Sequence, residues 1–278
     1  MGSRLDMESR TDTENLNWEK TGDAVTFTLL GPLEVRLRGR DYAPTTPKQL
    51  QVMATLLTRP GKIVPMDALV EELWGDHPPR RARTTIQTYI YQLRKCIERN
   101  GLARNAEELL ATRHPGYAFM IDPEQTDVFE FTRLSKEGQF LLQERRYVEA
   151  ARIFRAALAL WSGPALTNVN CGSFLFAYTV GLQEQKRSIH HLRIQAEIEG
   201  GVHRELIGEL RSMTTENPLD EGLHGQLMQV LCRSGRRSDA MATYRQLRFR
   251  LHTELGVEPC DELQILHREA LSQGDGSQ

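Results

Sequence analysis

The apolar side chains change period along the first 120 residues, and each change predicts a different element. Val25-Thr26-Phe27-Thr28-Leu29-Leu30 and Leu33-Glu34-Val35-Arg36-Leu37-Arg38 are separated by Gly31-Pro32 and followed by the turn Gly39-Arg40-Asp41. With period-two alternation in the second segment, they predict a short antiparallel meander. Thr45 or Thr46 then caps a helix whose first turn accepts Pro47; Leu50, Met53, Ala54 and Leu57 form its stripe, and Arg59-Pro60-Gly61 stops it. Ile63-Val64 reads as a brief strand. A second helix opens at Pro65-Met66-Asp67, carries Leu69, Val70, Leu73 and Trp74, and ends at Gly75. Asp76-His77-Pro78-Pro79 is a stiff connector, because consecutive prolines resist helix beyond its first turn. Ile86, Ile90, Leu93 and Ile97 then recur at i, i+4, i+7 and i+11, one stripe of a third helix. Residues 108–113 and 117–121, around His114-Pro115-Gly116, read as a hairpin. Sheet, three helices and hairpin, in that order, predict a winged helix-turn-helix.

Residues 123–271 carry helical periodicity almost throughout, with an internal repeat. Arg145, Ala150 and Phe154, then Gly201, Leu206 and Leu210, then Gly235, Ala240 and Tyr244 share a turn residue followed five and nine positions on by a small or apolar residue and a large one. Gly201 and Gly235 lie 34 residues apart, the tetratricopeptide period. The expected fold is mainly α with a small β component: a winged helix-turn-helix over 24–122, then an all-helical tetratricopeptide-like domain over 123–271. Tails at 1–23 and 272–278, short of large apolar side chains, are expected to be disordered.

The net charge of −2 gives no hint of a nucleic-acid partner, but it averages over unlike parts. Residues 24–122 hold 14 Lys and Arg against 10 Asp and Glu, whereas residues 123–278 hold 18 against 21. The basic part is the winged helix, where phosphate contacts are expected. On the third helix Thr84, Thr88, Tyr91 and Lys95 oppose the apolar stripe, and Glu98 is the first carboxylate after the helix begins. Hydroxyls, amides and cations without carboxylates are the groups that bond base edges and phosphates. Thr84, Thr88, Tyr91, Gln92 and Lys95 are therefore the candidate base readers. Arg81, Arg83, Gln87, Arg94 and Arg113, with Lys48, are the candidate phosphate contacts.

Other chemistry is poorly supported. Cys96, Cys171, Cys232 and Cys260 form no pair or cluster of zinc-ligand spacing and read as reduced, structural thiols. His190-His191 sits on a charged helix and reads as surface or satisfied histidine rather than metal ligand. Nucleotide, zinc and acyl-transfer motifs are missing from the sequence, so neither an enzyme nor a cofactor is expected. The uncharged run from Ala156 to Gln183 is broken by Ser162-Gly163-Pro164, Asn168, Asn170 and Gly172, a poor membrane span. A cytoplasmic, nucleoid-associated protein is the expectation.

Several strings resemble one family. Leu30-Gly31-Pro32-Leu33-Glu34-Val35, Glu72-Leu73-Trp74-Gly75 before Pro78-Pro79, the run from Thr84 to Lys95, and Pro115-Gly116-Tyr117 resemble the OmpR-type DNA-binding domain of Streptomyces antibiotic regulatory proteins. Asp127-Val128-Phe129-Glu130-Phe131, the run from Ala157 to Leu166, Asn217-Pro218-Leu219 and Leu255-Gly256-Val257-Glu258-Pro259 resemble the bacterial transcriptional activator domain of the same proteins. The resemblance implies a pathway-specific activator of secondary-metabolite genes that binds tandem repeats in double-stranded promoter DNA near the −35 element. Two protomers would lie side by side and recruit RNA polymerase holoenzyme through its sigma factor. It places Thr84, Thr88 and Gln92 in the major groove, and Arg94, Arg113 and Tyr117 on the DNA backbone. With the stiffness of the connector, it also marks Trp74, Asp76 and His77 as polymerase contacts. Relatives often carry Arg where Ser162 stands and a basic residue near Gln92, so their base preference is not transferred.

Two other readings stay open at this stage: a repressor of the same fold, and an adaptor in which both halves bind protein. Deleting 123–278 is expected to leave some DNA binding and to abolish activation.

Overall fold

The computed structural model describes residues 24–272; the expected tails, apart from Ser272, lie outside the described residues. Strands β1 (Thr26–Thr28), β2 (Glu34–Leu37) and β3 (Arg40–Asp41) form an antiparallel meander in that order, with Phe27 opposite Val35. Its inward side chains Phe27, Leu33 and Val35 are buried. Helix α1 (Pro47–Leu57), strand β4 (Val64–Pro65), helix α2 (Met66–Trp74) and helix α3 (Ala82–Arg99) follow. Thr46 stands at the N-cap of α1 without a side-chain capping bond, and Pro47 takes the first-turn place where its missing N–H costs nothing. Gly75 closes α2 at φ 57°, in the half of backbone space that favours glycine.

The wing differs in one detail from the sequence expectation. Residues 108 and 109, expected in a strand, belong to a short helix α4 (Ala106–Leu109), because the Asn105 side chain accepts a bond from the Glu107 amide at 2.9 Å and turns the chain. The hairpin is β5 (Leu110–Arg113) and β6 (Gly116–Phe119), with β4 completing a sheet of order β4-β6-β5. Gly116 is required there, since a Cβ at that position would lie 1.9 Å from the Val64 carbonyl.

The second half comprises α5 (Asp127–Gln143), α6 (Tyr147–Ala159), α7 (Ser173–Glu199), α8 (Arg204–Glu216), α9 (Glu221–Arg233), α10 (Arg237–Leu255) and α11 (Asp261–Ser272). The repeat has a backbone cause. Arg145, Gly201 and Gly235 all adopt positive φ, at 58°, 91° and 74°, so the same left-handed turn precedes α6, α8 and α10. In each helix the repeated pair is buried: Ala150 and Phe154, Leu206 and Leu210, Ala240 and Tyr244. Tetratricopeptide-like stacking follows from this periodic burial.

Among the described residues three apolar cores result, and they do not stop at residue 122. The winged-helix core takes in Leu166, Val169 and Leu175 from the second half. The core of α5 and α6 takes in Leu30 from the first. Helix α7 contributes to all three, with Leu175 in the winged-helix core, Leu182 and Ile189 in the core of α5 and α6, and Ile194 and Ile198 among α8 to α11. At 27 residues it is about 40 Å long, enough to serve as a common spine.

Polar groups also join the halves. The buried carboxylate of Asp127 accepts from the amides of Leu29 and Leu30 at 2.8 Å. Asn168 both accepts from the Leu33 amide, at 2.7 Å, and donates to the Leu33 carbonyl, at 3.1 Å. The buried Glu72, on α2, accepts from the amides of Gly172, Phe174 and Leu175 at 2.6, 2.9 and 3.3 Å. These are amides at the start of α7 with no partner inside their own helix, so Glu72 caps α7 from another part of the fold. Leu166, buried at φ 53°, an uncommon conformation for a bulky residue, donates its amide to the Leu29 carbonyl.

Candidate nucleic-acid interface

Ile86, Ile90, Leu93 and Ile97 fix the rotation of α3, since all four are buried in the winged-helix core. Their burial turns Thr84, Gln87, Thr88, Tyr91, Gln92 and Lys95 to the exterior, all of them exposed. Tyr91 is 61% exposed, unusual for a ring that could be packed. The Lys95 ammonium lies 5.8 Å from the centre of the Tyr91 ring and 3.2 Å from Glu98. The Glu98 hydrogen bond, with its charge, raises the Lys95 pKa, so this cation is retained. Thr88 donates its hydroxyl to the Thr84 carbonyl at 3.1 Å, a bond that uses none of the lone pairs of that oxygen. Gln92 accepts at Oε1 from Gln49 Nε2, on α1, at 2.7 Å.

The expected phosphate contacts divide into free and committed groups. Arg81, at the N-cap of α3, Gln87, on its second turn, and Arg113, at the wing tip, are exposed. Arg83 is exposed and ion-paired with Asp67, itself exposed, a pair that solvent makes easy to exchange. Three others are engaged within the fold. Arg94 donates to the Leu110 carbonyl at 3.0 and 2.7 Å and to Thr112 Oγ1 at 2.8 Å, and lies 3.2 Å from Glu107, so its guanidinium braces the wing against α3. Lys48 donates to the Leu73 carbonyl and to Gln51 Oε1, satisfying the end of α2. Tyr117 is buried between Val64 and Thr112 in the wing sheet.

Trp74 is half-buried, with Lys48 5.8 Å from its ring centre, whereas Asp76 and His77 are exposed in the connector. These three lie at the end of α2 and just beyond it, ahead of α3.

Sequence reasoning missed Gln49 and the groove beside it. Between α3 and the segment leading into α1 runs a groove of about 520 Å³ lined by Thr45, Thr46, Gln49, Gln92, Lys95 and Arg99, among others. Gln49 lies on the polar side of α1, where periodicity carries no signal, and the pairing with Gln92 spans 43 residues. Glu72 and Asp127 were noted as parts of familiar strings, but nothing local marks either as buried.

Among the described residues no group of His, Cys, Asp and Glu is arranged to hold a metal ion. No helix there is long and apolar enough to cross a membrane.

Comparison with known proteins agrees with this architecture. Residues 40–119 match the family model "Transcriptional regulatory protein, C terminal", and residues 126–271 match "Bacterial transcriptional activator domain". Regulatory protein DnrI of Streptomyces peucetius is 38% identical over 251 residues, 89% of this chain and 92% of that protein. Regulatory protein AfsR of Streptomyces coelicolor is 31% identical over 254 residues, 91% of this chain and 25% of that one. Transcriptional regulatory protein EmbR of Mycobacterium tuberculosis is 34% identical, with the chain spanning 63% of its length. The solved structure of EmbR with a low-affinity phosphopeptide superposes with a TM-score of 0.85 over 90% of this chain and 65% of that one, at 34% identity. The chain is a regulator of transcription, and it belongs to the Streptomyces antibiotic regulatory protein family.

Proposed function

We propose that the protein is a sequence-specific activator that binds tandem repeats beside the −35 element of promoters in a secondary-metabolite gene cluster. The observation that carries this reading is the outward face of α3 from Thr84 to Lys95, exposed and free of carboxylates. Thr84, Thr88, Tyr91, Gln92 and Lys95 meet base edges, with the threonine methyls suited to thymine. Arg81, Arg83, Gln87 and Arg113 hold the phosphates on either side, fixing register without reading sequence. Residues 24–122 supply this surface. Residues 123–271 contact the adjacent protomer and polymerase, and Trp74, Asp76 and His77 contact the sigma factor. The site of action is the nucleoid.

The test is in vitro transcription with RNA polymerase holoenzyme on promoters of the neighbouring biosynthetic genes, run beside a mobility shift at two salt concentrations. Displacing counterions from DNA drives association, so binding weakens as salt rises. Salt-sensitive binding with more transcript is the expected result. Binding with less transcript makes the protein a repressor, and no binding at either salt makes it an adaptor.

A further inference from the structure

We infer that the cleft where α1 and α2 meet the start of α7 is a binding site for a small apolar zwitterion of the α-amino-acid class. It is separate from the outward face of α3, and a ligand in it acts on the seam between the two halves.

The cleft has a volume of about 290 Å³, at the small end of the roughly 300–1,000 Å³ that ligand pockets occupy, and like many of them it lies where two parts of a fold meet. Arg59 follows α1, Val64 belongs to β4, Ala68, Glu71 and Glu72 to α2, and Phe174 to the first turn of α7. Ala68, Glu71 and Glu72 stand at i, i+3 and i+4, so one side of α2 forms a wall. Val64 is buried and Phe174 half-buried, and with the short side chain of Ala68 they give the cleft its apolar surface.

One guanidinium and two carboxylates line this cleft, yet among the described residues no ion pair joins them. Glu72 is spent, since its two oxygens accept from three amides of α7. Arg59 is exposed and lies over the Phe174 ring, with Cζ 4.4 Å from the ring centre, a contact that leaves its five N–H donors without an oxygen acceptor. The Glu71 carboxylate is exposed and has no partner among the described residues. The cleft therefore offers one unspent cation, one unspent anion and an apolar surface. A ligand carrying only a carboxylate or only an amine gains one of the two charge-assisted bonds, whereas a zwitterion gains both and covers Val64, Ala68 and Phe174 with its apolar side chain. Such a ligand touches α1, α2 and α7 together, beside the carboxylate that caps α7, so binding tightens the attachment of the second half to the winged helix.

The experiment is thermal unfolding and titration calorimetry of the full chain with l-leucine and l-phenylalanine, and with phenethylamine and 3-phenylpropionate, which each keep one of the two charges. The wild type should bind at least one of the amino acids, and at about ten times its dissociation constant that ligand should raise Tm by about 3 °C. The two single-charge compounds should bind about tenfold more weakly. Arg59→Gln and Glu71→Gln replace exposed side chains and leave the core intact, and each should weaken amino-acid binding about tenfold, cutting the shift at the same concentration to about 1 °C. Ala68→Trp fills the cleft and should abolish binding. Unfolding of each variant without ligand establishes that it is folded.

No binding of either amino acid at about 10 mM overturns the assignment. So does equal binding of a single-charge compound, since the cleft would then read one charge only. Undiminished binding in Arg59→Gln, in Glu71→Gln or in folded Ala68→Trp overturns it as well, because the ligand would then sit elsewhere. None of these readouts involves DNA, so they stand apart from the success or failure of the proposed promoter binding.

Discussion

The outward face of α3 and the seam between the two halves use similar chemical groups in opposite ways. At the seam, Glu72, Asp127 and Asn168 have backbone partners on the other side of the chain, and the two carboxylates are buried. On α3, Thr84, Gln87, Tyr91 and Gln92 stand exposed with bonding capacity left over. A polar group whose capacity is used inside the fold holds one geometry, whereas a group with spare capacity is available to a partner. The division also runs through one residue type: Arg94 is spent on the wing while Arg113, on the same hairpin, is exposed.

The largest effect should come from breaking the seam. Glu72→Ala leaves the amides of Gly172, Phe174 and Leu175 without their acceptor. Each buried unsatisfied amide is worth about 1–3 kcal/mol, and we expect a net loss of about 3 kcal/mol. Calorimetry should then show Tm falling by about 10 °C. Truncation at Asp122 should be worse, because the winged-helix core loses Leu166, Val169 and Leu175 as well. The expectation that such a fragment keeps binding DNA therefore gives way to one of aggregation, visible by light scattering.

Asp127 sharpens the comparison through pH. Burial raises its pKa to about 7, against the lowering effect of its bonds from the Leu30 and Leu29 amides. In the unfolded chain an aspartate titrates near about 4. Between these values the folded state binds more protons, so the contribution of Asp127 to stability is fully present below pH 4 and is lost as pH rises to 7. The stability of the wild type relative to Asp127→Asn should decline across that window by up to about 1.4 kcal/mol per pH unit, and level off above it. A flat difference in denaturant titrations from pH 4 to 8 would show that the carboxyl is ordinary.

Substitutions on the face of α3 should leave stability alone and act on binding. Gln92→Ala should weaken the operator complex by about 1–3 kcal/mol and relax one base position. Smaller still, Arg113→Ala should weaken all sequences alike and lower the slope of log affinity against log salt by about one unit. Arg94→Ala supplies the contrast: its loss should appear first as a less stable wing, read by hydrogen exchange in β5 and β6.

Much of the fold was legible because it rests on local periodicity. Four apolar residues at helical spacing in α3 are enough to say which side faces outward, and the repeated turn and apolar positions mark α6, α8 and α10. The seam was not legible, because Glu72 has the sequence context of an ordinary surface residue on an amphipathic helix; what buries it is the start of α7, 100 residues further on. The internal bonds of Lys48 and Arg94 were hidden for a related reason: a cation's charge is readable from sequence, but the nearby carbonyl that accepts from it is not. Tyr117 lies in a strand too short for alternation to say which side is inward.

Helix α7 has a mechanical implication. It grips α2 at one end through Glu72 and anchors the α8–α11 array at the other, so the array behaves as a lever fixed to the element that aims α3, rather than as a body on a tether. A lever has a bearing as well as a reach. Under the proposed promoter binding it would point to one side of the double helix, and shifting the operator by about half a helical turn, roughly five base pairs, would carry it to the opposite side. A shift of about ten restores the bearing at a longer reach, so transcription should oscillate with operator spacing rather than decay smoothly.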